Sequence, residues 1–377
     1  MSRHIITIYI FLSFLCSYQF QNKNIILYPL LLIQLVILGI NMFWLLKRKE
    51  IKISNFILIM IWGTLFSAAF NFETLGNYLV NIILIFNIYL LTKYKWNYMY
   101  KNLYYLAVFF NIINIFIYIY SPKIYSVPKI IFGHELSKIQ LQEIGVAAMS
   151  KIAMYSLFSV VLIRSKLLKI LIVILSLFIL FVGGKFTAIL ALLVSLIIYI
   201  ITIKFSLFKN KLKYILKLLL IISFSSSFIF YFFIKLLEKL FSVKNIFSGR
   251  SILWIDYIDY IWENKISIFV GNGFFTETKM ISYLSHPHNQ YLTIIYTLGI
   301  FGFIIYYLFF SKNINKIINV VKRYPDLFLL FITQIIQMCG DDYYILTIEP
   351  IGMIFLFLIY NIEYSNKRVV QIGEINE

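Results

Sequence analysis

Four groups of residues whose types could do chemistry lie between positions 248 and 302. Ser248-Gly249-Arg250-Ser251 is followed by Trp254. Gly271-Asn272-Gly273-Phe274 comes next, then His286-Pro287-His288-Asn289-Gln290-Tyr291-Leu292, then Leu298-Gly299-Ile300-Phe301-Gly302. His286 and His288 stand two apart. An imidazole with a pKa near 6.5 can serve as a general base at working pH. The same pair could supply part of a metal site, but that needs further Cys, His or acidic ligands. The only other histidines are His4 and His134, so no metal is expected. Asn289 is placed to orient the ring or a substrate hydroxyl. Gly271 and Gly273 permit a tight turn or a close backbone approach to a ligand. They lack the preceding strand and third glycine of a dinucleotide fingerprint, and no cofactor is expected.

The elements that must position these groups are helical. Between Arg250 and Gly271, Ile252, Leu253, Ile255, Ile258, Ile261 and Trp262 recur at helical spacing, with Asp256, Asp259 and Glu263 on another, solvated face. That pattern predicts a helix along the membrane interface with Trp254 and Trp262 near the headgroups. The surroundings are apolar. Of 377 residues, 61% are hydrophobic and 13% charged, and the mean hydropathy is +0.87. Soluble globular, disordered and collagen-like chains are excluded by these values. The net charge of +18 reads as basic cytoplasmic loops rather than nucleic-acid binding; the expected surroundings are membrane lipid, with no nucleic acid. Cys16 and Cys339 lie in separate apolar runs and form no disulfide framework.

Twelve apolar runs approach the length a membrane span needs: 5–20, 25–46, 55–70, 75–91, 104–120, 145–163, 168–184, 186–203, 214–236, 289–310, 326–340 and 347–362. The first, with Arg3 before it and no cleavage site after it, reads as a retained span. With the N-terminus inside, 22 of the 34 basic residues fall on the inner side and its helix ends, against 5 of the 16 acids. Every inner loop is basic, as orientation by positive charge requires. Two outer loops are long, 121–144 and 237–288. The expected fold class is therefore all-α: a polytopic integral membrane protein of about 12 transmembrane helices with both termini cytoplasmic. It forms a single integral membrane domain, 1–377. The large extracytoplasmic loop, 237–288, joins spans nine and ten and contains amphipathic helices.

The run from Ser248-Gly249-Arg250 through Trp254, Gly271-Asn272-Gly273-Phe274-Phe275, the histidine motif 286–292 and Leu298–Gly302 resembles the O-antigen ligase and polymerase superfamily of bacterial envelopes. By motif the resemblance covers about residues 145–310, and the rest only by span pattern. A further match is Val182-Gly183-Gly184-Lys185 at the outer end of the seventh span. Many family members carry arginine there; lysine keeps the charge but loses the bidentate fork, and a lysine snorkelling at a helix end is the plain alternative.

The resemblance implies a glycosyltransferase that moves glycan from an undecaprenyl diphosphate donor to a sugar hydroxyl, on the outer face of the bacterial cytoplasmic (inner) membrane. It implies His288 as base, Arg250 and Lys185 as cations on the leaving diphosphate, and inversion at the anomeric carbon without a metal. His286, Asn289, Gly271, Gly273, Tyr291 and Trp254 would bind substrate. Asp341, Asp342 and Glu349 would stand near the same cavity, with His134 and Lys138 toward the acceptor, and a chain-length regulator is a candidate protein partner. A polymerase of O-antigen or capsular repeat units is the main reading. A ligase moving finished glycan to lipid A core or to protein shares the same motifs. From a different class, a secondary transporter or flippase would place charges at midspan and show two matching halves, whereas the midspan regions here read as nearly free of charge.

Overall fold

The computed structural model describes residues 3–16, 24–47, 53–120, 124–131, 134–141, 146–182, 186–204, 206–241, 250–263, 265–273, 287–340 and 351–365. Apolar runs become helices because a helix satisfies its backbone polar groups internally, which an apolar medium demands. The first five are α1 (Arg3–Cys16), α2 (Asn24–Lys47), α3 (Asn55–Phe70), α4 (Leu75–Tyr94) and α5 (Trp96–Tyr120). Then come α6 (Val146–Phe158), α7 (Lys166–Val182), α8 (Phe186–Lys204) and α9 (Ser206–Phe241). Next are α10 (Arg250–Glu263), α11 (Lys265–Val270), α12 (Gln290–Val320), α13 (Pro325–Gln337) and α14 (Ile351–Tyr360). Each of the twelve apolar runs carries a helix, while α10 and α11 fall between the ninth and tenth runs.

Among the described residues, five helical segments are long and apolar enough to cross a membrane: Phe72–Tyr94, Trp96–Ile119, Thr187–Lys204, Lys211–Leu236 and Gln290–Val320. Six apolar helices are shorter. The chain is a helical membrane protein. Its outward faces carry large bare apolar side chains, Leu32, Trp62, Leu167, Ile197 and Phe232 among them, a surface that lipid rather than water suits.

The all-α expectation needs one correction. Residues 121–144, read as a loop, contain an antiparallel pair, β1 (Ile124–Ile131) and β2 (His134–Leu141), with Ile124 opposite Leu141 and Ile131 opposite His134. Two eight-residue strands escape a search for apolar runs of span length. Helix ends also differ from the apolar runs. The fifth run begins at 104, but α5 begins at Trp96, because Asn97, Lys101 and Asn102 continue the helix on a polar side.

Polar cross-ties join the helices, since without water each buried polar group needs a protein partner. Tyr100 and Tyr104 of α5 both donate to Oδ2 of Asp326 on α13, each at 2.7 Å. The Trp96 indole donates to the Leu358 carbonyl of α14 (2.6 Å). Asn111 reaches Ser156 of α6 and Ser176 of α7. Thr333 of α13 donates to Ser195 of α8 (2.9 Å). These ties hold α12, α13 and α14 at the centre of the bundle.

Candidate active site

His288 sits at the entrance to α12. Its φ is +49°, and it is the one non-glycine with positive φ among the described residues. Such a backbone costs on the order of 1–3 kcal/mol and persists only where its neighbours enforce it. They do so on both sides. Before it, the Pro287 carbonyl accepts from the Trp254 indole N–H (2.6 Å). After it, Asn289 caps α12, its side-chain oxygen accepting from the N–H groups of Tyr291 and Leu292 at 3.0 Å each. The Asn289 amide nitrogen donates to the Cys339 carbonyl (2.9 Å) and to Ser226 Oγ (3.4 Å). The Gln290 N–H donates to the Met338 carbonyl (2.9 Å). The histidine turn is thus pinned to α9, α10 and the far end of α13. The His288 side chain is half-buried.

α10 supplies the support beneath. Leu253, Trp254, Tyr257, Ile258 and Ile261 form its buried stripe against Ile234 of α9 and Leu292, Ile295 and Tyr296 of α12. The Trp254 ring lies 5.3 Å from Phe230, and Tyr257 meets Tyr296 edge-on at 5.0 Å. This corrects the interfacial expectation in part: Trp254 is buried inside the protein, and only Trp262 points outward. On the outer face of α10, Asp259 accepts from Tyr231 OH (2.6 Å) and pairs with Lys235 at 3.4 Å. Partial burial, then the neighbouring Asp259, pushes the Asp256 carboxyl above its ordinary value, against the pull of Lys235.

The glycine strip 271–273 holds a break in α12. Gly299, with φ +66° and ψ −169°, interrupts the helix. A break there orphans the carbonyls of the preceding turn, and each must find a partner. The Tyr296 carbonyl accepts from the Asn272 N–H (2.6 Å), the Thr297 carbonyl from Tyr78 OH (2.8 Å), and the Leu298 carbonyl from Ser67 Oγ (3.2 Å). Asn71 closes the set by donating to the Gly271 carbonyl (3.2 Å). The two backbones meet so closely that a Cβ at Gly271 would lie 2.2 Å from the Thr297 oxygen, and one at Gly299 would lie 2.2 Å from the Phe269 oxygen. The close approach read from Gly271 and Gly273 is therefore an approach to protein: Gly271 against α12, and Gly273 against Asn71 and Thr74.

Three of the other sequence-read residues also work inside the protein. The Asn289 amide is engaged at both ends, as above. Tyr291 is fully buried, with its hydroxyl on the Ile335 carbonyl (2.8 Å) and its ring 4.4 Å from Phe224. Trp254 holds the Pro287 carbonyl. Arg250 opens α10, but its side chain lies outside the described part of the structure. Lys185, His286, Asp341, Asp342 and Glu349 lie outside the described residues. His134 and Lys138 belong to β2, and His4 to α1.

With that geometry in place, the comparison with known families is decisive for one stretch. Residues 171–307 match the model of the O-antigen ligase family. The resemblance read from the motifs is borne out: this region, from α7 to just past the α12 break, carries the pattern of the O-antigen ligase and polymerase superfamily. The matched O-antigen ligase region holds Lys185, Arg250, the glycine strip and the histidine motif together. No curated protein and no solved structure matches the chain.

The sequence reading missed two features. One is the break at Gly299, whose signal was present in Leu298-Gly299-Ile300-Phe301-Gly302. The other is Lys151, which is buried in α6 and contradicts the impression of charge-free spans; a lone lysine in an apolar run was its only signal.

Proposed function

We propose that this protein is a glycosyltransferase of the bacterial cytoplasmic membrane that polymerises undecaprenyl-diphosphate-linked repeat units of O-antigen or capsular polysaccharide. The observation that carries the reading is the strained, doubly anchored His288 inside a region that matches the O-antigen ligase family. The chain spans the membrane about 12 times with both termini cytoplasmic, and the 237–288 loop faces outward.

In this reading His288 accepts the proton of an acceptor sugar hydroxyl. The hydroxyl oxygen attacks the anomeric carbon of the donor as the bond to the lipid diphosphate breaks, which inverts that carbon. Arg250 and Lys185 neutralise the charge gathering on the leaving diphosphate, the interaction that counts most when charge develops in the transition state. His286 contributes to substrate binding. Asn289, Tyr291, Trp254, Gly271 and Gly273 act as positioning residues that hold the His288 turn and the α12 break. No metal takes part in these steps. A chain-length regulator protein is the expected partner.

The second reading, a ligase that delivers finished glycan to lipid A core or protein, is favoured by the description of the matching family itself. One experiment separates them. The gene is deleted and the surface polysaccharide is run on a gel, with complementation by wild type, His288→Ala and Arg250→Ala. Collapse of the ladder to a single repeat unit, restored by wild type alone, is the expected result. Full-length polymer left on the polyprenyl lipid would make it the ligase. An unchanged ladder would sink both readings and favour a transporter or flippase.

A further inference from the structure

We infer that Lys151 of α6 is a third cation of the donor site, and that its ammonium binds the diphosphate of the polyprenyl-linked glycan. The inference rests on the glycosyltransferase reading above and adds a residue that neither the motifs nor the family match assigns; Lys151 lies before the matched stretch.

The first observation is where the charge sits. α6 is buried on every side from Met149 to Phe158, so it is a central helix, not one at the lipid boundary. Lys151 is 5% exposed and cannot snorkel outward as a lipid-facing lysine does. An ionisable side chain in such a place is expensive and usually functional.

The second observation is its level in the bundle. Tyr155, one turn along α6, sets its ring 6.0 Å from Phe355 of α14. Two residues further, Phe357 meets Phe309 of α12 at 5.2 Å, and the adjacent Phe310 meets Phe331 of α13 at 6.1 Å. α5 rises from the Asp326 end of α13, and α7 rises beside it, Asn111 bonding Ser176 and Tyr118 meeting Phe178. α6, between them in the chain, descends. At 1.5 Å per residue, Lys151 therefore lies about 9 Å above Phe331, level with Gln337 to within about a turn. The two carbonyls after Gln337, those of Met338 and Cys339, are the ones that anchor Gln290 and Asn289. α13 packs against both α6 and α12, so Lys151 and the His288 turn stand at the same level around one helix end.

The third observation is the polarity of that helix end. Gln334, in the last turn of α13, is 2% exposed, and neither its amide oxygen nor its amide nitrogen has a hydrogen-bond partner. Unpartnered buried amides are rare in finished structures and mark a place where another molecule supplies the bonds. Oxygen-rich anions fit an ammonium with three donors beside an amide donor. Three donors also let Lys151 keep a protein partner while bonding phosphate oxygens.

The test uses purified full-length protein in lipid nanodiscs, with undecaprenyl diphosphate as the probe. Its dissociation constant and the ligand-free thermal midpoint are measured for wild type, Lys151→Met and Lys151→Arg. The expected result is at least tenfold weaker binding for Lys151→Met, recovery to within about threefold for Lys151→Arg, and a ligand-free midpoint for Lys151→Met that is unchanged or raised. A buried charge held for a ligand burdens the empty protein, so its removal should not unfold it. Equal affinity in wild type and Lys151→Met overturns the inference alone. Loss of folding in Lys151→Met also overturns it, because the lysine is then an internal structural charge. Absence of binding by wild type defeats the glycosyltransferase reading on which the inference rests.

Discussion

Asn289 spends its whole carboxamide on the protein: two backbone N–H groups on its oxygen, and a carbonyl and a hydroxyl on its nitrogen. Its neighbour His288 carries the strained backbone. The cap therefore acts as the lock on that strain. Asn289→Ala removes the cap, which costs about 0.5–2 kcal/mol, and leaves the buried Cys339 carbonyl short of a donor. Asn289→Asp keeps the cap oxygen but sets a second acceptor against Cys339. Thermal unfolding of the purified variants should rank wild type above Asp and Asp above Ala, and glycan transfer should fall in both. Transfer at wild-type level in Asn289→Ala would mean that the lock is dispensable. Residue types alone suggested Asn289, Tyr291 and Trp254 as substrate ligands. Amides, phenols and indoles bind sugars and backbone carbonyls with the same donors, and the carbonyls that hold these three belong to residues 339, 335 and 287. Their partners are set by the fold, which the motif does not show.

At the scale of elements, the twelve apolar runs were legible because burial in an apolar medium requires a continuous stretch of apolar side chains. The broken helix was not, because a glycine in an apolar run reads equally well as close packing. The chain carries a control for this difference. A Cβ at Gly39 of α2 would meet nothing within 4 Å, whereas one at Gly299 would strike the Phe269 backbone at a φ that alanine resists. Gly39→Ala is expected to be neutral or to stabilise by up to about 1 kcal/mol. Gly299→Ala is expected to destabilise by about 2–4 kcal/mol, because parting α11 from α12 breaks the bond from Asn272 to Tyr296. Thermal midpoints in one detergent check the pair. Equal midpoints would show that α12 can close its break without glycine. The hairpin at 124–141 escaped notice for a different reason: its strands are short and carry only local alternation.

Over the whole molecule, the positive charges gather at one end of the bundle, and the contacts show it independently of the span count. Arg3 lies over the Tyr98 ring, the Trp96 indole reaches α14, and Tyr100 reaches the start of α13. Lys93 faces Tyr364, and Lys316 donates to the Tyr360 carbonyl and pairs with Glu363 at 3.4 Å. Lys322 and Arg323 are exposed in the same region, between α12 and α13. The His288 turn, α10 and the glycine strip occupy the opposite end. Positive charge resists translocation, so the basic end should face the cytoplasm and the histidine end the outside, where lipid-linked glycan would arrive. A cysteine introduced at Lys322 or at exposed Glu263, with Cys16 and Cys339 replaced by serine, tests this directly. A membrane-impermeant maleimide should label position 263 in intact spheroplasts and position 322 only after permeabilisation. The reverse pattern would turn the molecule over, put His288 on the cytoplasmic side, and remove the external site on which the transfer mechanism depends.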